Sequence, residues 1–563
     1  MTGLCGLMAE DIKTAQELAQ HQKSISISEF FEKNRHLLGY DNKIKVLLII
    51  VKEAVDNALD ATEEARILPE VYVKVEELDK EKYKIIVKDN GPGITKAQIP
   101  KVFGSLLYGS KFHKLRQNRG QQGIGVSGAV LYSQLTTGEP TEVVSSTGDG
   151  KLHRYKLKID VKKNEAIIIE EDTIPNEGKW KGVQITFVCE GIYREHKQSV
   201  LEYLKQTAIA NPYAHIIFDS PTGRAEFQRG VEKLPPEPTE IQPHLYGVEI
   251  GMFSRMLHDS KARSISTFMQ TEFSRVGKQT ADEICKKAGV DPVTHPKRVT
   301  DEEVVKLVKT IKETKLMRPP TDCLSPLGED FILNGLKKEL APEYMAAVTR
   351  PPSVYRGWPF QVEVGLAYGG SITEPRIMRL ANRVPLLYQA GDCAITKSIM
   401  GIDWKRYGID ADKLPTGPVA IFVHIFSVWV PFTSESKEAV ASYPVIIKEL
   451  KLAIQEAARK MQLYLNKKFR SVEAAKKKEM FRNYSDELAQ SLAALTGKKK
   501  ADIYKILMEL AEEMYISGDL GGEEGEPVID KSTDKKPKAK KKPVGEGGAE
   551  GEEMEEESEG SEE

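Results

Sequence analysis

The sequence predicts an α+β chain: a mixed α/β sandwich, then a small all-helical insert, then a second α/β domain ending in a long helix. Three observations carry this prediction. Alternating apolar runs at 71–75, 83–87, 166–169 and 183–187 accompany a helical pattern that enters at Ile44 and continues through Ala65. The proline cluster Leu234-Pro235-Pro236-Glu237-Pro238 marks a stiff connection, because proline fixes φ and removes a backbone donor. Beyond it, residues 248 to about 315 show short helical patterns punctuated by Gly251, Gly277, Gly289 and Pro292, with no convincing strand. Strand patterns return at 360–364, 384–388 and 419–430, and an amphipathic helix is expected from Ser434 to about Phe469.

These patterns set the expected divisions: an N-terminal extension (1–23), the sandwich (24–229), the helical insert (230–315), the second α/β domain with its stalk helix (316–470), a helical segment (471–517) and a charged tail (518–563). A chain of 563 residues is long enough to bury several cores. Its 81 basic and 83 acidic residues nearly cancel, yet residues 544–563 hold ten Glu and no Lys, Arg or Asp. Taking those ten carboxylates away from the formal −2 leaves +8, an excess that makes a polyanionic partner plausible. Six lysines (535, 536, 538, 540, 541, 542) precede the glutamates, and two such blocks of opposite charge form no core.

Five widely spaced cysteines without a C-x-x-C pair fit reduced thiols in a cytoplasm and exclude a zinc ribbon. The longest apolar stretch, 419–432, is interrupted by His424 and Ser427 and is too short to span a bilayer. The start of the chain turns acidic and polar at once, unlike a signal peptide, so a cytoplasmic protein with no membrane partner is expected.

The chain contains no G-x-x-x-x-G-K-[ST], so any nucleotide must be held without a P-loop. In the helix over 52–60, Glu53, Asn57 and Asp60 share one face by i, i+4, i+7 spacing, which by itself describes any solvated acidic face. Asp89-Asn90-Gly91-Pro92-Gly93 closes a strand with a carboxylate that can accept an amine hydrogen bond and two glycines that admit a flat ligand; alone it is equally a tight turn. Arg119-Gly120-Gln121-Gln122-Gly123-Ile124-Gly125-Val126-Ser127-Gly128 opens a helix with successive free N–H groups, an anion site. The same glycines fit a dinucleotide fingerprint, but a polar loop precedes them where that fold requires a buried strand.

The ordered trio E-x-x-x-N, D-x-G-x-G and glycine lid resembles the Bergerat-type ATPase superfamily of gyrase-like topoisomerases, MutL mismatch-repair proteins and histidine kinases. The fuller strings YGSKFH (108–113), RGQQGIGVSGA (119–129), TEFSRVGK (271–278) and SVWVPFTSESKEAVA (427–441) are similar to the B subunits of archaeal-type DNA topoisomerase VI, from about Ser24 to at least Tyr464. The resemblance implies a helix-two-turn-helix insert and a ribosomal S5-like transducer domain. It also implies ATP and Mg²⁺ as cofactors. Glu53 would be the general base, Asn57 the Mg²⁺ ligand and Asp89 the acceptor of the adenine amine, with Gly91 and Gly93 lining the base pocket. Gly123, Gly125 and Gly128 would fold over the triphosphate with Lys111 nearby. Lys437, placed by the sequence in the first turn of the stalk helix, would reach the γ-phosphate from the transducer. Where the superfamily often has a GT pair, this chain has Gly182-Val183, which leaves the role of Thr186 open.

For DNA, the resemblance nominates Lys261, Arg263, Arg275, Lys278, Lys286 and Lys287 in the insert, against a reading as solvated lysines and arginines. It also nominates the string Trp404-Lys405-Arg406-Tyr407, whose rings are equally readable as core anchors. Asp410-Ala411-Asp412 lies in a loop without a partner strand and is rejected as a cleavage-metal site, and none of the 20 tyrosines stands out as a nucleophile. DNA cleavage is therefore expected in a separate A subunit, in a heterotetramer with two copies of each chain that dimerises on ATP and acts on double-stranded DNA. The alternatives are another clamp ATPase of the superfamily, of the mismatch-repair or chaperone kind, and a DNA-binding scaffold that does not hydrolyse ATP. The helical insert and the W-K-R-Y string speak against the first, and Glu53 in the base position against the second.

Overall fold

The computed structural model describes residues 25–516, except 112, 113, 121, 122 and 435 and the side chains of 38 and 512–516. The extension and charged tail expected from the sequence lie outside the described residues. The chain divides into two units, 1–467 and 468–563.

The first unit opens with α1 (Ile27–Lys33) and α2 (Lys43–Glu64). Asn42 caps α2, its side chain accepting the Ile44 N–H at 2.9 Å. Apolar residues at helical spacing (Val46, Leu47, Ile50, Val51, Ala54, Val55, Ala58, Leu59) bury one face of α2, each large side chain contributing about 1.5–3 kcal/mol. The opposite face is left to carry Glu53, Asn57 and Glu64.

Behind that helix lies an eight-stranded sheet. Its strands are β1 (Glu70–Asp79), β2 (Lys82–Asp89), β3 (Thr141–Ser146), β4 (Lys151–Asp160), β5 (Glu165–Pro175), β6 (Gly182–Glu190), β7 (His215–Ser220) and β8 (Gly223–Phe227), in the spatial order β5-β4-β3-β6-β2-β1-β7-β8. Only β1 and β7 pair in parallel. The helices α3 (Ile99–Gly104), α4 (Gly125–Thr137) and α5 (Val200–Ala210) complete the sandwich, and α2, α4 and α5 share one apolar core with the inward residues of the sheet.

Four helices follow, α6 (Ile250–Asp259), α7 (Ile265–Glu272), α8 (Lys278–Ala288) and α9 (Asp301–Glu313). Among the described residues no strand lies between Phe227 and Tyr344. This helical part keeps its own core, centred on Phe253, Phe268 and Phe273, whose ring centroids lie 5.5–5.9 Å apart. A capping box between Thr300 and Glu303 starts α9.

The second sheet is preceded by α10 (Glu329–Leu340) and contains β9 (Tyr344–Thr349), β10 (Ser353–Tyr355), β11 (Trp358–Tyr368), β12 (Arg376–Ala381), β13 (Val384–Pro385) and β14 (Val419–Ser427), with α11 (Ala394–Met400) between β13 and β14. The order is β10-β11-β14-β12-β13, with β9 also pairing β11. Every residue of β14 is buried, His424 and Ser427 included, because helices cover both faces. On one face packs α12 (Pro444–Thr496) through Ile446, Leu450, Ile454 and Met461, and on the other α10 through Ile332 and Leu336. The α10 side shares a core with Ile209 and Tyr213, so the two sheets are joined by apolar packing as well as by chain.

Several sequence expectations change here. The strand expected over 384–388 ends at Pro385 and that over 419–430 at Ser427, while the helix expected from Ser434 to about Phe469 begins at Pro444 and runs to Thr496. Pro444 is the reason for the later helix start: its ring suits the first helical position but would break a helix already running from 434. In the second unit, residues 468–496 and α13 (Lys500–Ile516) are helical. Among the described residues no helix is long and apolar enough to cross a membrane, and Cys189, Cys285, Cys323 and Cys393 are free and buried.

Candidate functional site

A cavity of about 360 Å³ lies between α2, the end of β2, the start of α4 and the second α/β domain. From the nominated residues it gathers Glu53, Asn57, Asp89, Gly93, Lys111, Gly123, Gly125 and Lys437. Gly91 and Gly128 stay off the lining; Gly91 donates its N–H to Asp89 Oδ1 at 2.8 Å, and Gly128 is buried within α4.

Lys52 Nζ lies 2.9 Å from Glu53 Oε1 and 3.4 Å from Asp56. Burial pushes the Glu53 carboxyl up, but the ammoniums of Lys52, Lys437 and Lys111 outweigh it and hold the group below the usual carboxylate range. Glu53 is thus an ionised acceptor. Asp56, one helical turn from Lys52, has its carboxyl raised by burial and accepts the Tyr203 hydroxyl at 2.8 Å.

At the far end, Asp89 lines the cavity, and its Oδ1 accepts the N–H groups of Gly91 (2.8 Å) and Val183 (3.1 Å). Burial lifts its carboxyl to about 6 against the pull of those two N–H groups. Gly93 has φ +75°, and a Cβ there would sit 2.1 Å from the Ser146 carbonyl oxygen, so this turn demands glycine. Val183 and Ile185 line the cavity and Thr186, one residue on in β6, does not.

Lys111 Nζ lies 2.5 Å from Asp60 Oδ2, and Asp60 is held at about 2: burial raises it, while Lys111 and Arg119 overcome that. The helix α4 starts at Gly125 without a side-chain cap, and residues 123–127 line the cavity, where the first N–H groups of a helix have no partner within it. A Cβ on Gly125 would fall 1.8 Å from Glu53 Oε2, so the backbone of the lid rests on the carboxylate.

The second domain closes the remaining side. Residues 385–388 and 436–438 line the cavity. Lys437 lies not in a helix but in a turn, at φ +53°, with its N–H on the Ser434 carbonyl at 3.1 Å. Burial pushes its ammonium down and Glu53 pulls it back up, the net being a lowered value. Glu438 pairs with Lys45 of α2, which also sits 4.4 Å over the Tyr388 ring.

For a divalent cation, no cluster of three His, Cys, Asp or Glu side chains exists among the described residues. Asn57, exposed on the cavity wall, offers one neutral oxygen, a donor set that fits Mg²⁺ held chiefly by phosphate and water.

In the insert, Lys261, Arg263, Arg275, Lys278, Lys286 and Lys287 are all exposed, with Lys287 paired to Glu283 at 2.7 Å. The W-K-R-Y string is one turn of 3₁₀ helix in which Lys405 and Arg406 face out. Trp404 and Tyr407 are core anchors: Trp404 is 1% exposed and donates its indole N–H to the Ile399 carbonyl at 2.9 Å, which removes both rings from any stacking role.

Sequence reasoning missed Lys52, Glu63, Arg119, Tyr388 and Arg383, all in or beside this site. Arg119 stands inside the glycine string, a signal that could have singled it out; nothing local marks Arg383, because its partner Glu63 is 320 residues away.

A family model described as "Histidine kinase-, DNA gyrase B-, and HSP90-like ATPase" matches residues 42–162, and one described as "Topoisomerase VI B subunit, transducer" matches residues 319–478. The sandwich is thus of the expected Bergerat type, and the second α/β domain is a transducer. The B subunits of type 2 DNA topoisomerase 6 are similar along most of the chain. That of Archaeoglobus fulgidus is 44% identical over 517 residues, covering 90% of this chain and 85% of its own length. That of Methanosarcina barkeri is 45% identical over 510 residues, with 89% and 82% covered, and that of Pyrococcus furiosus 41% over 561 residues, with 91% and 98% covered. With this identity sustained over both the sandwich and the transducer, the chain belongs to the family of type 2 DNA topoisomerase 6 B subunits.

Proposed function

We propose that this chain is the ATP-binding and hydrolysing subunit of a type IIB DNA topoisomerase, in which ATP closes a dimer of two such chains and gates passage of one duplex through a break made by an A subunit. The observation that carries the reading is one cavity shared by Glu53 and Asp89 of the sandwich and Lys437 of the transducer. Asp89 accepts the adenine amine, and the N–H groups at the start of α4 hold phosphate oxygens. Glu53 takes the proton of a water whose oxygen attacks the γ-phosphorus; the bond to the β–γ bridging oxygen breaks, releasing ADP and phosphate. Asn57 would hold Mg²⁺, which when bound supplies charge neutralisation to the triphosphate. Lys437 adds a cation at the γ-phosphate, so loss of that phosphate is felt by the transducer.

The division into ATPase domain (24–229), helix-two-turn-helix domain (230–315) and transducer (316–470) is part of this proposal and is supported by the separate helical core. Exposed Lys261, Arg263, Arg275, Lys278, Lys405 and Arg406 would meet the DNA backbone. DNA cleavage would fall to an A subunit, in a heterotetramer with two copies of each chain, a reading supported by the similarity to type 2 DNA topoisomerase 6 B subunits. The test is a decatenation assay on the chain combined with a DNA-cleaving A subunit. ATP-dependent unlinking that neither protein performs alone is expected. Equal unlinking without ATP, or none from the pair, would contradict the reading.

A further inference from the structure

We infer that Arg383 of the transducer is a positioning residue for the nucleotide lid: acting through Glu63, it fixes the root of the lid and ties lid closure to the seating of Lys437. The inference rests on the reading of the cavity as an ATP site and adds a part that the reading does not contain.

Strands β12 and β13 are joined by a two-residue turn, Asn382–Arg383, between the pairs Ala381–Val384 and Leu380–Pro385. Both turn residues have positive φ, 48° and 68°, as in a type I′ hairpin, whose second position strongly favours glycine. An arginine there works against the backbone, and it is not a solvated one: Arg383 is 4% exposed. Its Nη1 donates to Glu63 Oε2 at 3.0 Å, and its Nη2 donates to the carbonyl (2.7 Å) and hydroxyl (2.5 Å) of Ser325. The other oxygen of Glu63 accepts Arg119 Nη2 and the Tyr213 hydroxyl, both at 2.5 Å. Arg119 in turn donates to Asp60 at 2.8 Å and immediately precedes Gly120 of the lid. One half-buried carboxylate of the sandwich is therefore shared by an arginine at the lid root and an arginine of the transducer.

Neighbouring contacts run the same way. Asn382 Nδ2 donates to the Asn118 carbonyl at 2.8 Å, and the Gln117 side chain accepts the Ser325 N–H at 2.7 Å. Gln117 and Asn118 are thus gripped from the transducer side, and Arg119 is reached through Glu63. On its far side the turn is fastened to β14: Asn382 exchanges hydrogen bonds with Ser427 at 3.0 and 3.1 Å, and the Arg383 N–H donates to His424 Nε2 at 2.9 Å. Strand β14 leads directly into the segment that delivers Lys437. A shift of that segment along the γ-phosphate is carried through β14 and the turn to the lid root.

Glycine is the residue the turn itself prefers, so Arg383→Gly removes the guanidinium while easing the backbone. The test uses the full chain with ADP or a non-hydrolysable ATP analogue and follows hydrogen exchange at the amides of Gly120, Gly123 and Gly125. In the analogue complex Arg383→Gly should exchange at least tenfold faster than the parent, with ADP affinity within about twofold and hydrolysis at least tenfold lower. Arg383→Lys should restore part of the protection. Glu63→Gln, which keeps the volume and removes the shared charge, should give the same acceleration and should not add to Arg383→Gly. Parent-like protection in Arg383→Gly, or additive effects of the two changes, would overturn the inference; should Arg383→Gly fail to fold, parent-like protection in Glu63→Gln would overturn it. Glu53→Ala measured in parallel separates the two levels. If it hydrolyses ATP normally, the ATP-site reading fails whatever Arg383 does; if it is inactive while Arg383→Gly keeps a protected lid, only the role of Arg383 fails.

Discussion

Replacing Gly125 by alanine tests the geometry of the site with a single methyl group. Gly125 is the first residue of α4, so alanine suits its backbone and should gain up to about 1 kcal/mol of helix propensity. Its Cβ, however, would stand 1.8 Å from Oε2, 2.6 Å from Cδ and 3.1 Å from Cγ of Glu53. Carbon and oxygen need more than about 3 Å, so the carboxylate must retreat by about 1.5 Å or the lid must lift by as much. A general base displaced by roughly 1 Å costs on the order of 10²-fold, about 2.7 kcal/mol of transition-state stabilisation. Gly125→Ala should therefore melt at or slightly above the parent temperature while phosphate release falls at least a hundredfold. The assay is steady-state phosphate release beside a thermal melt. Hydrolysis within twofold of the parent in a folded Gly125→Ala chain would show that the lid does not rest on Glu53 during catalysis.

Other consequences follow from the same geometry. Lys437→Ala should leave ADP affinity unchanged but weaken ATP-analogue binding by about 30-fold or more, because a buried cation on a triphosphate is worth about 2–3 kcal/mol and an exposed lysine under one; titration calorimetry with both nucleotides decides. Asp89 must be ionised to accept an amine, and with its carboxyl at about 6 the affinity for ATP should hold above pH 7 and fall about tenfold per unit below 6. Asp89→Asn should flatten that profile, and an unbent parent profile down to pH 5 would remove Asp89 from base recognition. Asn57→Ala should lose the Mg²⁺-dependent part of nucleotide affinity, so a Mg²⁺ titration indistinguishable from the parent would count against its metal role.

The parts of this site that the sequence makes legible are those encoded by local period and turn chemistry. Glu53 and Asn57 share a helix face because four residues nearly complete a turn, and Asp89 and Gly93 announce a strand end whose φ only glycine suits. What stays hidden depends on contacts distant in the chain. Nothing around Arg383 says that its guanidinium crosses to Glu63, and the W-K-R-Y string reads the same whether Trp404 faces DNA or the core. The start of the stalk is misleading in the sequence because the amphipathic pattern is followed from Ser434, while Pro444, ten residues on, is the true first turn. The difference moves Lys437 from a helix into a positive-φ turn, where its backbone is held by Ser434 and its side chain by the cavity.

The central claim, that this cavity hydrolyses ATP with Glu53 as its base and closes a dimer by binding alone, is tested most directly by phosphate release from Glu53→Ala, paired with its dimerisation on ATP. The account predicts release lowered by about 10² or more together with ATP-dependent dimers as stable as the parent's, since Asp89, Asn57 and the N–H groups of α4 remain. Phosphate release at the parent rate would contradict it.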